Sequence, residues 1–141
     1  MNLFLDTSSL LKIYHREPDT DEILKLISQE VENIFLSELA KIEFNSAIFK
    51  KVRKNEFTIE KALEMIAFFE KDYDNFRWIS VDSTIIANSK ELIKKHGTKG
   101  LRTLDSIQLA CAISKQSEIN SYKTSDIVLK EIFRKEDLSI C

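Results

Sequence analysis

Acidic residues stand in this chain where the surrounding pattern calls for something apolar, or where a strand should end. Asp6 closes the apolar run that begins at Asn2. In open α/β sheets ligands bind beyond the carboxyl ends of strands, so an acid there occupies the ground of a site. Asp is also a common N-cap, and a helix starting at Thr7 would use one. Glu43 lies on a helix that Ser37 can cap. At about 100° per residue, Leu36, Leu39, Ala40 and Ala47 share one arc and Glu43 falls in its middle. An ionised carboxylate on a core stripe is costly unless it is paired or binds a cation. The structural alternatives are a buried ion pair or a stripe edge that borders solvent.

Asp105 sits among Leu104, Ile107, Leu109, Ala110, Cys111, Ala112 and Ile113. A helix apolar nearly all round is buried, so this acid points inward or into a cleft. It could instead answer the helix dipole in the first turn and pair with Arg102. Asp126 follows a strand near Tyr122, with Thr124 and Ser125 as competing caps. Asp82 also follows a strand, and capping is the better reading there.

Several carboxylates with no nearby histidine or cysteine pair describe oxygen ligands for a hard cation, Mg²⁺ or Mn²⁺, rather than for zinc. His15 and His96 lack metal-ligand spacing and read as surface residues. No Gly-rich phosphate loop, Ser-His-Asp set or CxxC motif is present. Acids that hold such a cation suit phosphodiester hydrolysis, in which the metal polarises the phosphate, activates water and stabilises the leaving oxygen. The residues alone reach a metal site and a reaction class, and no substrate.

The elements that must position these acids alternate between strand and helix. Asn2–Asp6 reads as a strand, Thr7–Arg16 as a helix, and Pro18 as the break before a second helix reaching Ile27 with Asp19–Glu22 at its start. Asn33–Leu36 is a strand, followed by helices from Ser37 to about Asn55 and over Thr58–Tyr73. Arg77–Val81 is a strand and Asp82 or Ser83 caps a helix to His96. Gly97 and Gly100 bracket a loop, and Thr103 starts a helix to about Lys115. Ile119–Lys123 is a weak strand, Ser125–Arg134 a helix and Leu138–Cys141 a last strand. Strands separated by helices, with no tight hairpin, indicate an α/β domain with a mostly parallel sheet.

The 141 residues suit a single domain, 1–141, and a composition of 43% hydrophobic and 31% charged residues is that of a globular chain. Apolar runs fall short of a membrane span, and an acid at position 6 is foreign to a signal peptide, so a cytoplasmic location is expected. Cys111 and Cys141 need no disulfide. A net charge of −2 does not advertise nucleic-acid binding over the whole surface. Two clusters qualify this: Lys50, Lys51, Arg53 and Lys54, and Lys94, Lys95, Lys99 and Arg102. Each reads equally as solvated helix ends or as phosphate contacts.

Taken together, these stretches resemble the PIN-domain family, and within it the VapC-type toxins of toxin–antitoxin pairs. The segment Leu5-Asp6-Thr7-Ser8-Ser9-Leu10-Leu11-Lys12-Ile13-Tyr14, continued by Glu17-Pro18, resembles the family's opening strand and helix. Ser37 through Glu43 resembles the segment with its second acid. Leu101-Arg102-Thr103-Leu104-Asp105-Ser106-Ile107-Gln108-Leu109-Ala110 is similar to its most recognisable block, and Thr124-Ser125-Asp126 to its late Thr-x-Asp element. The strand ahead of Asp126, Asn120-Ser121-Tyr122-Lys123, is more polar than the family's.

The resemblance implies a PIN-like fold, a small mostly parallel sheet flanked by helices. It implies a Mg²⁺- or Mn²⁺-dependent endoribonuclease, homodimers, and inhibition by a VapB-like antitoxin. Asp6, Glu43, Asp105 and Asp126 match the family's metal-binding, catalytic acids. Thr7 and Ser8 match small polar residues near the metal, and Thr124 one that helps position water. Lys12 and Arg16 are then expected against the RNA backbone at the mouth of the site. Two other readings stay open: a non-catalytic PIN-like module that binds RNA or protein, and a receiver-type signalling domain. The latter needs a second acid beside Asp6, where Thr7 stands.

Overall fold

A computed structural model describes residues 1–141. It contains four strands, β1 (Asn2–Leu5), β2 (Asn33–Ser37), β3 (Phe76–Ile79) and β4 (Ser121–Lys123). Seven helices accompany them: α1 (Thr7–Tyr14), α2 (Thr20–Glu30), α3 (Leu39–Arg53), α4 (Ile59–Lys71), α5 (Ser83–His96), α6 (Thr103–Ser114) and α7 (Ile127–Lys135). The sheet runs β3-β2-β1-β4 and every pairing is parallel. A receiver domain places β3 beside β1, so this order removes that reading.

Leu3, Phe4 and Leu5 are fully buried, as a central strand covered on both faces requires. Alternate side chains of a strand face opposite ways, and the core divides accordingly. Phe4 packs with Leu109, Leu129 and Phe133, beneath α6 and α7. Leu3 and Leu5 pack with Leu10, Phe44 and Phe69, beneath α1, α3 and α4. Phe69 lies 4.4 Å from Phe44 and 5.4 Å from Tyr14 between ring centroids, which makes it the hub of the second layer rather than a surface residue. At the amino end of the sheet, Asn33 Nδ2 donates to Asn2 Oδ1 and Asn2 Nδ2 donates to the carbonyl of Glu118. That end is therefore closed by amide hydrogen bonds, and the acids gather at the other.

Two expectations fail here. Leu138–Cys141 is no strand: it meets β4 through a single bridge between Tyr122 and Ile140. Asp137 turns the chain through a left-handed backbone, φ 59°, directly before it, which leaves room for little pairing. His96 is not on the surface but 1% exposed, with Nε2 at 2.7 Å from Glu136 Oε1. The burial follows from its place as the last residue of α5, where the chain turns and the end of α7 closes over the ring.

Burial raises the Glu136 carboxyl, but hydrogen bonds from Lys95 and His96 outweigh it and hold the pKa below the ordinary glutamate value. A depressed folded-state pKa contributes stability above the unfolded pKa and loses it as pH falls through the folded one. Glu136→Gln is accordingly expected to cost about 1–3 kcal/mol in urea denaturation at neutral pH, the range for unpairing a buried polar group. The deficit should start to shrink as pH falls through the ordinary glutamate range, about 4, and vanish only below the depressed folded-state pKa; a deficit independent of pH would place the cost in packing.

Candidate metal and nuclease site

Asp6 is the first residue beyond β1 and is buried. Its Oδ1 accepts from the Ser9 backbone N at 3.0 Å, which caps α1. Ser8 Oγ lies 2.8 Å from both carboxylate oxygens, and Thr124 Oγ1 donates to Oδ2 at 2.5 Å. Capping and a place in the site are thus the same geometry and not alternatives. Burial pushes the Asp6 pKa up, and the hydrogen bonds from Thr124, Ser9 and Ser8 only reduce the rise.

Glu43 borders the buried stripe of α3 instead of centring it. The stripe is Ala40, Phe44 and Ile48, one residue every turn. The expected cap shifts by one residue: Glu38 is the N-cap and its side chain makes no capping bond, while Ser37, which ends β2, accepts from the Leu39 backbone N at 3.1 Å just ahead of it. Glu43 Oε1 accepts from Thr7 Oγ1 at 2.9 Å and from Gln108 Nε2 at 2.7 Å. No cation answers it. Burial raises its pKa, two donors lower it, and the charges of Asp105 and Asp6 raise it again. The ion-pair explanation for this residue fails, since its charged neighbours are acids.

Asp105 lies in the first turn of α6. Arg102 does approach it, with Nε 3.7 Å from Oδ2, but the arginine side chain is 80% exposed and the aspartate 25%. A pair so open to water contributes at most about 1 kcal/mol. Burial and then the charge of Asp126 push the Asp105 pKa up in spite of Arg102. Asp126 caps α7 by accepting from Leu129 N at 2.8 Å, and its own backbone N donates to Thr124 Oγ1 at 3.1 Å. One threonine hydroxyl therefore ties the fourth acid to the first. The polar strand before it forms all the same, because Tyr122 faces the core beside Phe4.

Four elements bring these acids together: the end of β1, the second turn of α3, the first turn of α6, and the junction of β4 with α7. Each acid acts electrostatically on the next, Asp6 on Glu43, Glu43 with Asp105, Asp105 with Asp126. As the side chains stand, no three His, Cys, Asp or Glu are close enough together to hold an ion. The donor set is nonetheless all oxygen, and mutually repelling half-buried acids favour a bound cation.

Gln108 joins the site although the sequence pattern does not single it out. It is buried, donates to Glu43 and to Thr7 Oγ1, and leaves its own Oε1 without a partner. The available signal is an amide on a helix otherwise apolar nearly all round. Asp82 only caps α5, through Ile85 N at 2.9 Å. Lys12 is not free for phosphate: its side chain is 13% exposed and lies 2.5 Å from Asp19. Arg16 is paired with Asp21 on the open surface. Both serve the α1–α2 junction, whose acids the family pattern does not bring into view.

Residues 3–134 match the PIN domain family. The chain belongs to that family. This PIN domain shares its fold with VapC20 of Mycobacterium tuberculosis, described as a sarcin-ricin loop cleaving toxin. The TM-score is 0.71 at 14% identity, over 92% of this chain and 94% of that one. VapBC2 of Rickettsia felis, bound to a DNA fragment from its promoter, gives 0.68 at 18% identity, over 100% and 98%. VapBC-1 of nontypeable Haemophilus influenzae gives 0.67 at 17%, over 100% and 97%. No curated protein shows significant similarity to the sequence. No helix is long and apolar enough to cross a membrane, and both cysteines are free.

Proposed function

We propose that this PIN domain is a Mg²⁺- or Mn²⁺-dependent endoribonuclease, the toxin of a VapBC-type pair, with a VapB-like antitoxin as its partner. The observation that carries the reading is the run of four carboxylates at the carboxyl end of a parallel sheet, three of them with raised pKa and none answered by a buried cation. Asp6, Glu43, Asp105 and Asp126 would hold the ion. It would supply Lewis-acid polarisation of the phosphate and a lowered pKa for attacking water.

The chain's own residues prepare for that. Ser8, Ser9 and Thr124 fix the Asp6 carboxylate, so it need not reorganise. Gln108 and Thr7 both occupy Oε1 of Glu43 and leave Oε2 without a hydrogen bond to the protein. Thr124 keeps the Asp126 loop against Asp6.

The test is cleavage of structured RNA by protein purified free of any antitoxin. Activity with Mg²⁺ or Mn²⁺ and silence in EDTA are expected. RNA binding without cleavage in any metal would instead favour the non-catalytic module, in keeping with acids that stand too far apart to close on an ion.

A homodimer is part of the proposal. Ile59, Leu63 and Phe68 of α4 and Ile42 of α3 are large apolar side chains left exposed. Of the two phenylalanines of α4 only Phe68 is free for such a face, since Phe69 is core. Sedimentation at micromolar concentration should show a dimer that Phe68→Asp weakens; a monomer at every concentration would sink the assignment.

A further inference from the structure

Lys99 lies on the turn between α5 and α6, and Lys135 ends α7. Together with Ile127, Val128, Glu131 and Ile132 they line a groove of about 350 Å³. Both ammonium groups line this one groove, and the presence of Lys135 holds the Lys99 pKa below the ordinary lysine value, with Lys95 adding to the effect. The charges around them are already answered. Glu131 is paired with Arg134, and Lys95 lies 2.8 Å from Glu136. Two like charges thus line one groove whose single acid, Glu131, is already paired with Arg134, an arrangement that an anion between the lysines would relieve.

The floor of the groove is apolar and open. Ile127 is 81% exposed and Val128 43%. Gly100 holds the opposite wall against α7: its backbone is left-handed, φ 98°, and a Cβ there would lie 3.5 Å from Val128 Cγ1. The groove also adjoins the acids. Ile127 follows Asp126 directly, and Asp126 acts on Asp105. Two unpaired cations beside exposed apolar side chains suit a single strand, which can turn phosphates to the lysines and a base to the apolar surface.

We propose that this groove carries the RNA backbone next to the scissile phosphate, with Lys99 and Lys135 against neighbouring phosphates and Ile127 and Val128 beneath a base. The proposal rests on the nuclease reading and gives its substrate a path. It also divides the basic residues of this region. Lys99 belongs to the RNA, Lys95 to the ion pair at the end of α5, and Arg102 to Asp105.

The test is binding of a fluorescein-labelled single-stranded RNA of mixed sequence, followed by anisotropy without metal so that cleavage plays no part. Lys99→Ala/Lys135→Ala should weaken binding about tenfold and make the salt slope shallower by about 1.4, at about 0.7 per phosphate contact on a single strand. Lys50→Ala/Lys54→Ala, which removes as much charge from the end of α3, should bind as the wild type does. Thermal melting confirms that both variants fold, and Lys99→Gln/Lys135→Gln repeats the test if the alanines disturb α7.

Equal losses in the two double variants would make the effect one of net charge and overturn the proposal. Equal weakening toward polyglutamate would assign the groove to acidic polypeptides and overturn it too. Binding unchanged by loss of both lysines, in a wild type that cleaves RNA with Mg²⁺, would sink the groove alone. Absence of cleavage by a wild type that binds through these lysines would sink the nuclease reading alone.

Discussion

Asp6→Asn is expected to lower the rate of RNA cleavage in Mg²⁺ by about 100-fold or more, the scale set by a displacement of about 1 Å at a reacting centre. The substitution keeps the shape of the side chain and most of its hydrogen-bonding capacity. The amide oxygen that replaces Oδ1 can still accept from Ser9 N, so α1 keeps its cap and the fold should survive. The variant loses the charge and one of two oxygens. It also turns an acceptor toward Thr124 into a donor, so the Thr124 hydroxyl must swing its proton away from residue 6 and can there only accept. Single-turnover cleavage of a defined RNA measures the rate, and a melting curve checks the fold. Asp126→Asn should cost less, since that residue is only half-buried and its side chain accepts from Leu129 N alone, whereas Asp6 is buried and held by Ser8, Ser9 and Thr124 together. Wild-type cleavage by both Asp6→Asn and Asp105→Asn would identify a contaminant and end the nuclease reading. In cells, induced wild type should arrest a bacterial host and Asp6→Asn should not.

Much of this site is legible in the amino-acid sequence, and the reason is physical. Asp6 and Asp105 stand out because an apolar strand and an apolar helix each carry one charge that burial penalises. The parallel sheet follows from strands that alternate with helices, and the PIN resemblance puts the acids in order. Glu43 is found by periodicity, though slightly misplaced. The true stripe of α3 passes through Phe44, and Glu43 borders it, so a helical wheel locates the acid without its surroundings.

What stays hidden depends on contacts between residues far apart in sequence. Lys12 reads as an exposed base until α2 folds back and Asp19 meets it. His96 reads as a surface residue until the end of α7 covers it. Gln108 is visible only as a polar residue in an apolar helix, and its pairing with Glu43 spans α3 and α6. The groove between Lys99 and Lys135 joins two segments that local pattern treats as separate helix ends.

Asp105→Asn should raise the melting temperature of the metal-free protein and reduce the rise that Mg²⁺ produces. The Asp105 pKa is pushed up by burial and then by Asp126, with Arg102 opposing. A carboxyl whose folded-state pKa lies above its unfolded value favours the fold when protonated. That contribution is complete below the unfolded pKa, is lost as pH rises through the folded pKa, and is absent at neutrality. Ionised Asp105 therefore works against the fold at pH 7, and asparagine removes the opposition while keeping the volume. Relief of about 1 kcal/mol would raise the melting temperature by about 4 °C in a domain of this size. The gain should shrink as pH is lowered toward the carboxylate range, where the wild-type residue protonates. Saturating Mg²⁺ acts the other way. An ion present at about 100 times its dissociation constant stabilises the wild type by about 2.7 kcal/mol. Loss of one ligand should remove most of that rise. The two proteins would then change rank, the variant melting higher without metal and the wild type higher with it. Scanning calorimetry with EDTA and with Mg²⁺ measures both. A large fall in metal-free stability would show that the pair with Arg102 holds α6 in place and that Asp105 is a structural acid.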